Sequence, residues 1–255
     1  MIDPFHLEAY GETTVNYNRD VEIFPVLNTI FEKIYGKSPY KSPTDMGVNM
    51  AGNCICDDEA CREASKQEII RRYFDALNAL AKGSTSEKEA QKIELLMNMA
   101  GITVTDRKVV IKALERAKET DGPAAALELC DGRIITGKTT NLLGASAALL
   151  LNVLKVLAGI DHETHIISPE SIEPIQKLKV DYLKSKNPRL HTDEVLIALS
   201  ASAATNPQAR LALSQLPELA GCQAHTSVML SDVDIKIFKK LEVQLTSEAV
   251  YEHAL

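Results

Sequence analysis

The stretch DGRIITGKTT, residues 131 to 140, determines how the second half of the chain is expected to fold. Three of the four residues at positions 133 to 136 are β-branched, and such residues favour extended backbone. The dipeptide Asp131-Gly132 in front of them is a favoured two-residue turn. The stretch therefore predicts a β-hairpin over residues 127 to 137.

Two short strands form the expected hairpin, one over residues 127 to 130 and one over residues 133 to 136. A two-residue turn between them places Leu127 opposite Thr136. A nearly all-apolar helix is expected directly after, from Asn141 to Ala158. Because apolar residues surround all its faces, this helix is expected to be the most buried one.

The same stretch also matches the phosphate-loop pattern G-x-x-x-x-G-K-[ST], with Gly137, Lys138 and Thr139 as nucleotide-binding candidates. ATP or another nucleotide is the cofactor that this alternative implies. The expected helix start after Thr139 fits it, but Thr139 or Thr140 as an ordinary helix cap explains that start equally well. No apolar strand ending in a magnesium-binding Asp accompanies the pattern, so the hairpin is the favoured interpretation.

Further helices and strands are expected on both sides of the hairpin. Before the hairpin, helices are expected from Val21 to Tyr35, with Asp20 as cap, and from Asp58 to Lys82. A third begins at a capping box of Ser86 with Glu89, and a fourth begins near Thr105. After the hairpin, helix starts are expected at Ser168-Pro169, Thr192, Asn206-Pro207 and Ser231, and strands at residues 222–230 and 242–247.

This order predicts a helix-rich α/β protein. Residues 1–120 form a mostly helical region with long polar loops, and residues 121–255 form an α/β domain. Single and paired strands separated by helices are typical of helices packed on a small mixed β-sheet.

The composition of the chain argues against nucleic acid and anionic membranes as binding partners. The chain has 255 residues, is 45% hydrophobic and carries a net charge of -7. It has no basic stretch for nucleic acid or for anionic membranes, so neither partner is expected. The amino-terminal sequence lacks the features of a signal peptide, and the five cysteines are irregularly spaced. A cytoplasmic protein with reduced thiols is therefore expected.

Metal sites are not expected. The cluster Cys54, Cys56 and Cys61 lacks the paired C-x2-C spacing of structural zinc sites. His162 and His165 are three residues apart, whereas a zinc-protease helix needs histidines four apart.

Two polar loops are the main binding candidates. One offers Lys41, Asp45 and Asn49; the other offers Lys186, Asn187, Arg189 and His191 directly before a helix that Thr192 is expected to cap. Lysine, arginine and a helix amino terminus together favour phosphate or carboxylate. A small phosphate-bearing ligand held by both loops is therefore expected. Cations at a helix end and an Asn-Pro stop signal are the structural alternative for the second loop.

Five stretches of the chain, spread over its whole length, carry a family resemblance: MIDPFHLEAYGETTVNYNRDVE, YKSPTDMGVNMAG, EASKQEIIRRYF, SKNPRLHTDEVLIALSASAATNP and GCQAHTSVMLSDVD. Through them the chain resembles the bacterial uncharacterised protein family 0371, a domain-of-unknown-function family. Members are about twice as long, and the chain is similar to their carboxy-terminal half. Some members have been labelled ATP-dependent zinc proteases, but the zinc-protease motif is absent here.

The resemblance implies an amino-terminal half, missing here, with a glycine-rich segment like a phosphate loop. The favoured hypothesis is thus part of a nucleotide- or phosphometabolite-binding enzyme. The alternative is a non-catalytic scaffold that self-associates, because a chain separated from a larger protein exposes apolar surface.

Overall fold

A computed structural model describes residues 17–41, 43, 46 and 58–252. The chain divides into two compact units, residues 1–107 and residues 108–255.

Helices form the described part of the first unit. They are α1 (Tyr17–Tyr35), α2 (Asp58–Ala81) and α3 (Glu87–Ala100), followed by a 3-10 turn at Val104–Asp106. The expected start of α1 at Val21 is wrong, because the helix already contains residues 17 to 20 and Asp20 is not its cap.

The ends of α3 differ in part from expectation. Ser86 is the N-cap, but its side chain makes no capping hydrogen bond, so the expected box with Glu89 does not form. A carboxylate closes the next turn instead: Asp106 Oδ2 accepts the backbone N–H of Thr103 at 2.7 Å. Gly101 ends α3 with a left-handed φ of 65°.

The second unit alternates helices and strands. Its elements are α4 (Lys108–Thr120), β1 (Ala124–Glu128), β2 (Ile134–Lys138), α5 (Ala145–Leu157), α6 (Pro169–Lys177), a π-helical turn (Leu178–Tyr182), α7 (Thr192–Ser202), α8 (Pro207–Leu213), a 3-10 turn (Leu216–Leu219), β3 (Gln223–Thr226), α9 (Asp232–Lys240) and β4 (Gln244–Ser247).

The strands form one mixed sheet in the order β2-β1-β3-β4. Strand β1 runs antiparallel to both β2 and β3, and β4 is parallel to β3. Alternate side chains of β1 enter different cores: Ala126 packs with Val109 and Ala113 of α4, whereas Ala125 and Leu127 belong to the larger core with α5. The expected small mixed sheet with packed helices is confirmed.

The hairpin of β1 and β2 is confirmed, but its expected register is wrong by one residue. Leu127 pairs with Ile135 and not with Thr136. Gly132 N donates to Leu129 O at 2.9 Å, and Leu129 N donates to Arg133 O at 2.9 Å. The connection therefore has three residues and ends in Gly132 at φ 83°, a form that needs glycine at this position.

Helix α5 is the apolar centre of the second unit, as expected. Ten of its residues are buried, and Leu149 and Leu150 have no exposed surface. Strand β2 lies against it so closely that a Cβ on Gly137 would be 2.2 Å from the backbone nitrogen of Leu149. Only glycine fits this contact without movement of the strand or the helix.

Candidate functional site

A cavity of about 790 Å³ lies within the first unit. Helices α1 and α2, the segment after α1 and the end of α3 form its walls, with these residues at the surface: Phe24, Pro25, Asn28, Thr29, Glu32, Gly36, Lys37, Ser38, Tyr40, Lys41, Pro43, Arg62, Ser65, Lys66, Ile69, Met99, Ala100 and Ile102. Its size falls within the range of small-molecule sites, roughly 300–1,000 Å³.

One face of α2 forms a wall of the cavity, and its side chains change from charged to apolar along the helix. Arg62, Ser65, Lys66 and Ile69 are spaced by three, four and seven residues and so share a face. Ser65 and Ile69 are buried. Lys66 Nζ lies 3.0 Å from Glu63 Oε2, and this hydrogen-bonded pair raises the pKa of the lysine. Lys66 is therefore protonated at neutral pH.

Helix α1 forms another wall of the cavity, and most of its polar side chains there already form hydrogen bonds within the helix. Thr29 Oγ1 donates to the carbonyl oxygen of Pro25 at 2.9 Å. Asn28 Nδ2 donates to Glu32 Oε1 at 2.9 Å, which occupies one oxygen of that carboxylate. These bonds hold the polar side chains of α1 along its surface.

Charge is unequal around the cavity. Among the described residues, its lining contains four cationic side chains, Lys37, Lys41, Arg62 and Lys66, and one carboxylate, Glu32. A concave surface with excess positive charge attracts anions, and low-dielectric walls strengthen that field. The remaining lining includes aliphatic and aromatic side chains, so the cavity can hold a ligand with both an anionic group and an apolar body.

The first predicted loop reaches this cavity through Lys41, which is exposed at its wall. Asp45 and Asn49 lie outside the described residues, as do Cys54 and Cys56. Of Cys61, only the backbone within α2 is described.

The second predicted loop lies in the second unit and is tied to the chain around it. Lys186 is exposed, and Asn187 Oδ1 accepts the backbone N–H of Arg189 at 3.1 Å. The guanidinium of Arg189 forms an ion pair with Glu252, and both side chains are 35% exposed.

His191 is held by a carboxylate from α9. Its Nδ1 lies 3.0 Å from Asp234 Oδ2. Asp234 Oδ1 accepts from the backbone N–H of Thr192 at 2.9 Å and from its hydroxyl at 2.8 Å. Ser231 Oγ donates to Asp234 Oδ2 at 2.7 Å. One buried side chain thus links the amino termini of α7 and α9, and we call this group the Asp234 clamp.

The clamp has clear electrostatic consequences. Burial alone would raise the pKa of Asp234, but the hydrogen bonds from His191, Thr192 and Ser231 outweigh it and lower the pKa to about 2. The hydrogen bond to Asp234 raises the pKa of His191. Asp234 is therefore ionised near neutral pH, and its carboxylate favours the protonated form of His191.

A second ion pair supports the same loop. Lys179 is buried, and its Nζ donates to Glu194 Oε2 at 2.7 Å and to the carbonyl oxygen of Arg189 at 2.6 Å. Glu194 Oε2 also accepts the backbone N–H of His191 at 2.8 Å. The expectation that Thr192 caps α7 is wrong, because His191 is the N-cap residue and Thr192 is the first helical residue.

The residues that match the phosphate-loop pattern belong to the sheet. Gly137 and Lys138 lie in β2, paired with Ala125 and Ala124. Thr139 N donates to the carbonyl oxygen of Pro123 at 2.9 Å, which extends the pairing by one residue. The backbone here runs as a strand.

Metal ligands do not cluster within the described ranges: no group of three or more His, Cys, Asp or Glu side chains there could hold an ion. The residues 162–165 form a connection whose carbonyl oxygens at His162 and Thr164 accept from the buried Lys155. Within the same ranges, no helix is long and apolar enough to span a membrane.

Sequence reasoning missed several of these residues. Lys37, Arg62 and Lys66 belong to the cavity but lie outside the two loops, and Asp234 and Glu252 hold the second loop from a distance. The 3-4-7 spacing on α2 was the one available signal for the cavity wall, since it places the residues on one helical face.

Fold and site together define a class: a helical unit with a cationic cavity, joined to a three-layer α/β unit with a small mixed sheet. The family comparison is more specific. Residues 1–101 match the model of the domain of unknown function DUF1846, N-terminal, and residues 105–255 match DUF1846, C-terminal. The chain belongs to the DUF1846 family, and the match is not confined to the domain called carboxy-terminal.

Curated relatives also match the chain over almost its whole length. The chain is 59% identical over 251 residues to a UPF0371 protein of Corynebacterium urealyticum, covering 98% of the chain and 50% of the relative. It is 54% identical over 253 residues to a UPF0371 protein of Streptococcus thermophilus, covering 99% of the chain and 51% of the relative. The chain spans about half the length of the curated relatives it matches.

Proposed function

We propose that this chain is a cytoplasmic protein that binds a small phosphate-bearing ligand, a nucleotide or a phosphorylated metabolite, in the cavity of the first unit. The observation that supports the proposal is the lining of four cations against one carboxylate around about 790 Å³. In a longer protein, the same ligand would be the substrate or cofactor of an enzyme, with the remaining length of the relatives supplying further parts.

Phosphate fits this charge pattern better than a carboxylate does. A phosphate monoester carries nearly two negative charges near neutral pH and three acceptor oxygens. Arg62 can hold two of those oxygens at once, and lysines contribute point charges from several directions. Arg62 lies 3.1 Å from Glu59 and Lys66 contacts Glu63, so a ligand would share these two cations with carboxylates. Lys37 and Lys41, both exposed at the cavity wall, are the cations chosen for the test.

The second loop has a different place in the proposal. Arg189 and His191 already contact carboxylates, so a phosphate there would have to compete with Glu252 and Asp234. We therefore propose the cavity as the main site, and Lys186, Asn187, Arg189 and His191 as an additional surface for the same ligand. Asp45 and Asn49 remain proposed contacts of the same ligand, on the sequence of their polar loop alone.

Binding can be measured by isothermal titration calorimetry with ATP, ribose 5-phosphate and inorganic phosphate. Replacing Lys37 and Lys41 together by Gln should weaken binding of the best ligand at least about tenfold, equivalent to about 1.4 kcal/mol. Lys33→Gln, which removes one positive charge from the last turn of α1 outside the cavity, should leave affinity within about twofold of the wild type. Equal affinity in the double variant and the control would refute the cavity as the site.

Self-association is the competing proposal, and one surface favours it. The π-helical turn and its neighbour expose large apolar side chains, with Tyr182 at 77% and Leu183 at 69%. Exposed apolar clusters mark association sites more often than isolated residues do. Sedimentation velocity across a hundredfold range of concentration separates the proposals: a constant monomer that binds phosphate ligands supports the first, and a dimer that ignores them supports the second.

A further inference from the structure

Two cysteines lie side by side at one end of the sheet, outside both sites already described. Cys130 is the first residue of the hairpin connection and is exposed, whereas Cys222 precedes β3 and is 2% exposed. Both are free thiols.

The register of the sheet fixes how close their backbones are. Glu128 of β1 pairs with Gln223 of β3 in antiparallel orientation. One further step places Leu129 opposite Cys222, and Cys130 is the next residue along. A strand spacing of about 4.8 Å and a rise of about 3.4 Å per residue then give a Cα separation of about 6 Å. Disulfides span Cα separations of about 4.4–6.8 Å.

We propose that Cys130 and Cys222 form a reversible oxidative modification site, in which peroxide converts the two thiols into one disulfide. The exposed Cys130 is the residue that reacts with the oxidant. Cys222, behind it in the core, is the residue that completes the bond.

The chemistry takes two balanced steps. The Cys130 thiolate attacks one oxygen of hydrogen peroxide, which forms a sulfenic acid and, after proton uptake, releases one water. The Cys222 thiol then attacks the sulfenic sulfur, loses its proton and expels the hydroxyl group as a second water. Two thiols thus lose two electrons in total, and one peroxide is reduced to two waters.

The environment of each thiol supports this division of roles. The Cys222 Sγ donates to the carbonyl oxygen of Glu218 at 3.6 Å. Burial, with a further contribution from contact with the Cys130 thiol, raises the pKa of Cys222 to about 12. Cys222 therefore stays protonated and reacts little with free peroxide, because the thiolate is the reactive form. In the second step its proton passes to the departing hydroxyl group as the disulfide forms. Its contact with the Cys130 side chain keeps it within reach of the sulfenic acid.

The test is peptide mapping of the native protein after brief treatment with hydrogen peroxide, with free thiols blocked before digestion. Trypsin places Cys130 in the peptide of residues 119–133 and Cys222 in that of residues 211–236. We expect these two peptides linked, with the loss of two hydrogens, and released again by dithiothreitol. Detection of Cys130 sulfinic acid with Cys222 still a free thiol would overturn the proposal.

Two variants assign the roles. In Cys222→Ala, dimedone should trap Cys130 as a stable sulfenic acid, and in Cys130→Ser, Cys222 should remain unmodified under the same treatment. Oxidation of Cys222 at the wild-type rate in Cys130→Ser would contradict its assigned role. Circular dichroism establishes that each variant is folded, and the exposed Cys130→Ser variant carries the test if Cys222→Ala does not fold.

Discussion

The two units differ in where some of their charged side chains lie. In the second unit, buried Lys179 pairs with Glu194, and buried Asp234 contacts His191. In the first unit, Lys37 and Lys41 lie exposed at the wall of a cavity. Cations at the wall of a cavity can contact a bound anion, so the first unit is the better place to look for a ligand site.

Loss of packing in α5 is the largest expected effect. Leu150→Ala should lower the free energy of unfolding by about 2–5 kcal/mol, because Leu150 is fully buried in the core of the second unit. Urea unfolding followed by circular dichroism measures the change.

A matched variant in the first unit sharpens this result. Leu95 of α3 is 61% exposed, and Leu95→Ala should change the free energy of unfolding by less than about 0.5 kcal/mol. If the two substitutions cost the same, the difference in burial between Leu150 and Leu95 does not determine their contribution to stability.

The contact between β2 and α5 gives the next largest effect. Gly137→Ala places a methyl group 2.2 Å from the backbone of Leu149, so the strand and the helix must separate. Overpacking of this kind costs about 1–3 kcal/mol, and more where backbone must move. Hydrogen exchange of the β2 and α5 amides should accelerate accordingly.

Gly122→Ala is the control for this position. The nearest atom to a Cβ at Gly122 is the carbonyl oxygen of Thr120 at 3.8 Å, an ordinary contact. Exchange rates in β2 should therefore match the wild type. Hydrogen exchange at the wild-type rate in Gly137→Ala would show that β2 and α5 can move apart without loss of stability.

His191 in the Asp234 clamp gives a smaller effect, visible as pH dependence. The folded pKa of His191 is raised, so its contribution is fully present below about pH 6.5 and is lost as pH rises through the folded value. His191 is 32% exposed, which limits the change to less than about 1 kcal/mol. Urea unfolding at pH 5, 7 and 9 should show this decline in the wild type and not in His191→Asn.

Unfolding at acid pH distinguishes the contribution of Asp234 to stability from that of His191. The pKa of Asp234 is lowered to about 2, so its contribution is present above about pH 4 and is lost as pH falls toward 2. His191→Asn should keep a substantial part of this acid dependence, since Thr192 and Ser231 still donate to Asp234, whereas Asp234→Asn should remove it. An alkaline decline in His191→Asn equal to that of the wild type would assign the titration to another group.

Local sequence signals predicted the local structure well. The hairpin, the apolar α5 and the caps at Asn206 and Ser231 depend on residues within a few positions of each other, and all are present. The register of the hairpin failed because two-residue and three-residue connections use the same Asp-Gly pair. The position of Gly132 in the turn depends on the strands around it.

The candidate sites were less predictable, because helix packing and not chain order brings their residues together. Lys41 was identified from its polar loop, but Arg62 and Lys66 of α2 lie more than 20 positions further along, beyond any local pattern. From the sequence, Asp234 is expected only to be part of an ordinary helix start with Ser231. Its second role, holding His191, requires α7 and α9 to be placed first.

The centre of the sheet has a consequence for how the chain folds. Ala125 of β1 pairs with Thr226 of β3, so the middle of the sheet closes only after about 100 intervening residues have been made. Pairings this distant in sequence carry a large loop-closure cost and slow folding. During synthesis, the hairpin and α5 can form early, while the β3 side of β1 stays an open strand edge. An open edge is a template for aggregation, so a nascent chain of this protein is expected to depend on chaperones until β3 emerges.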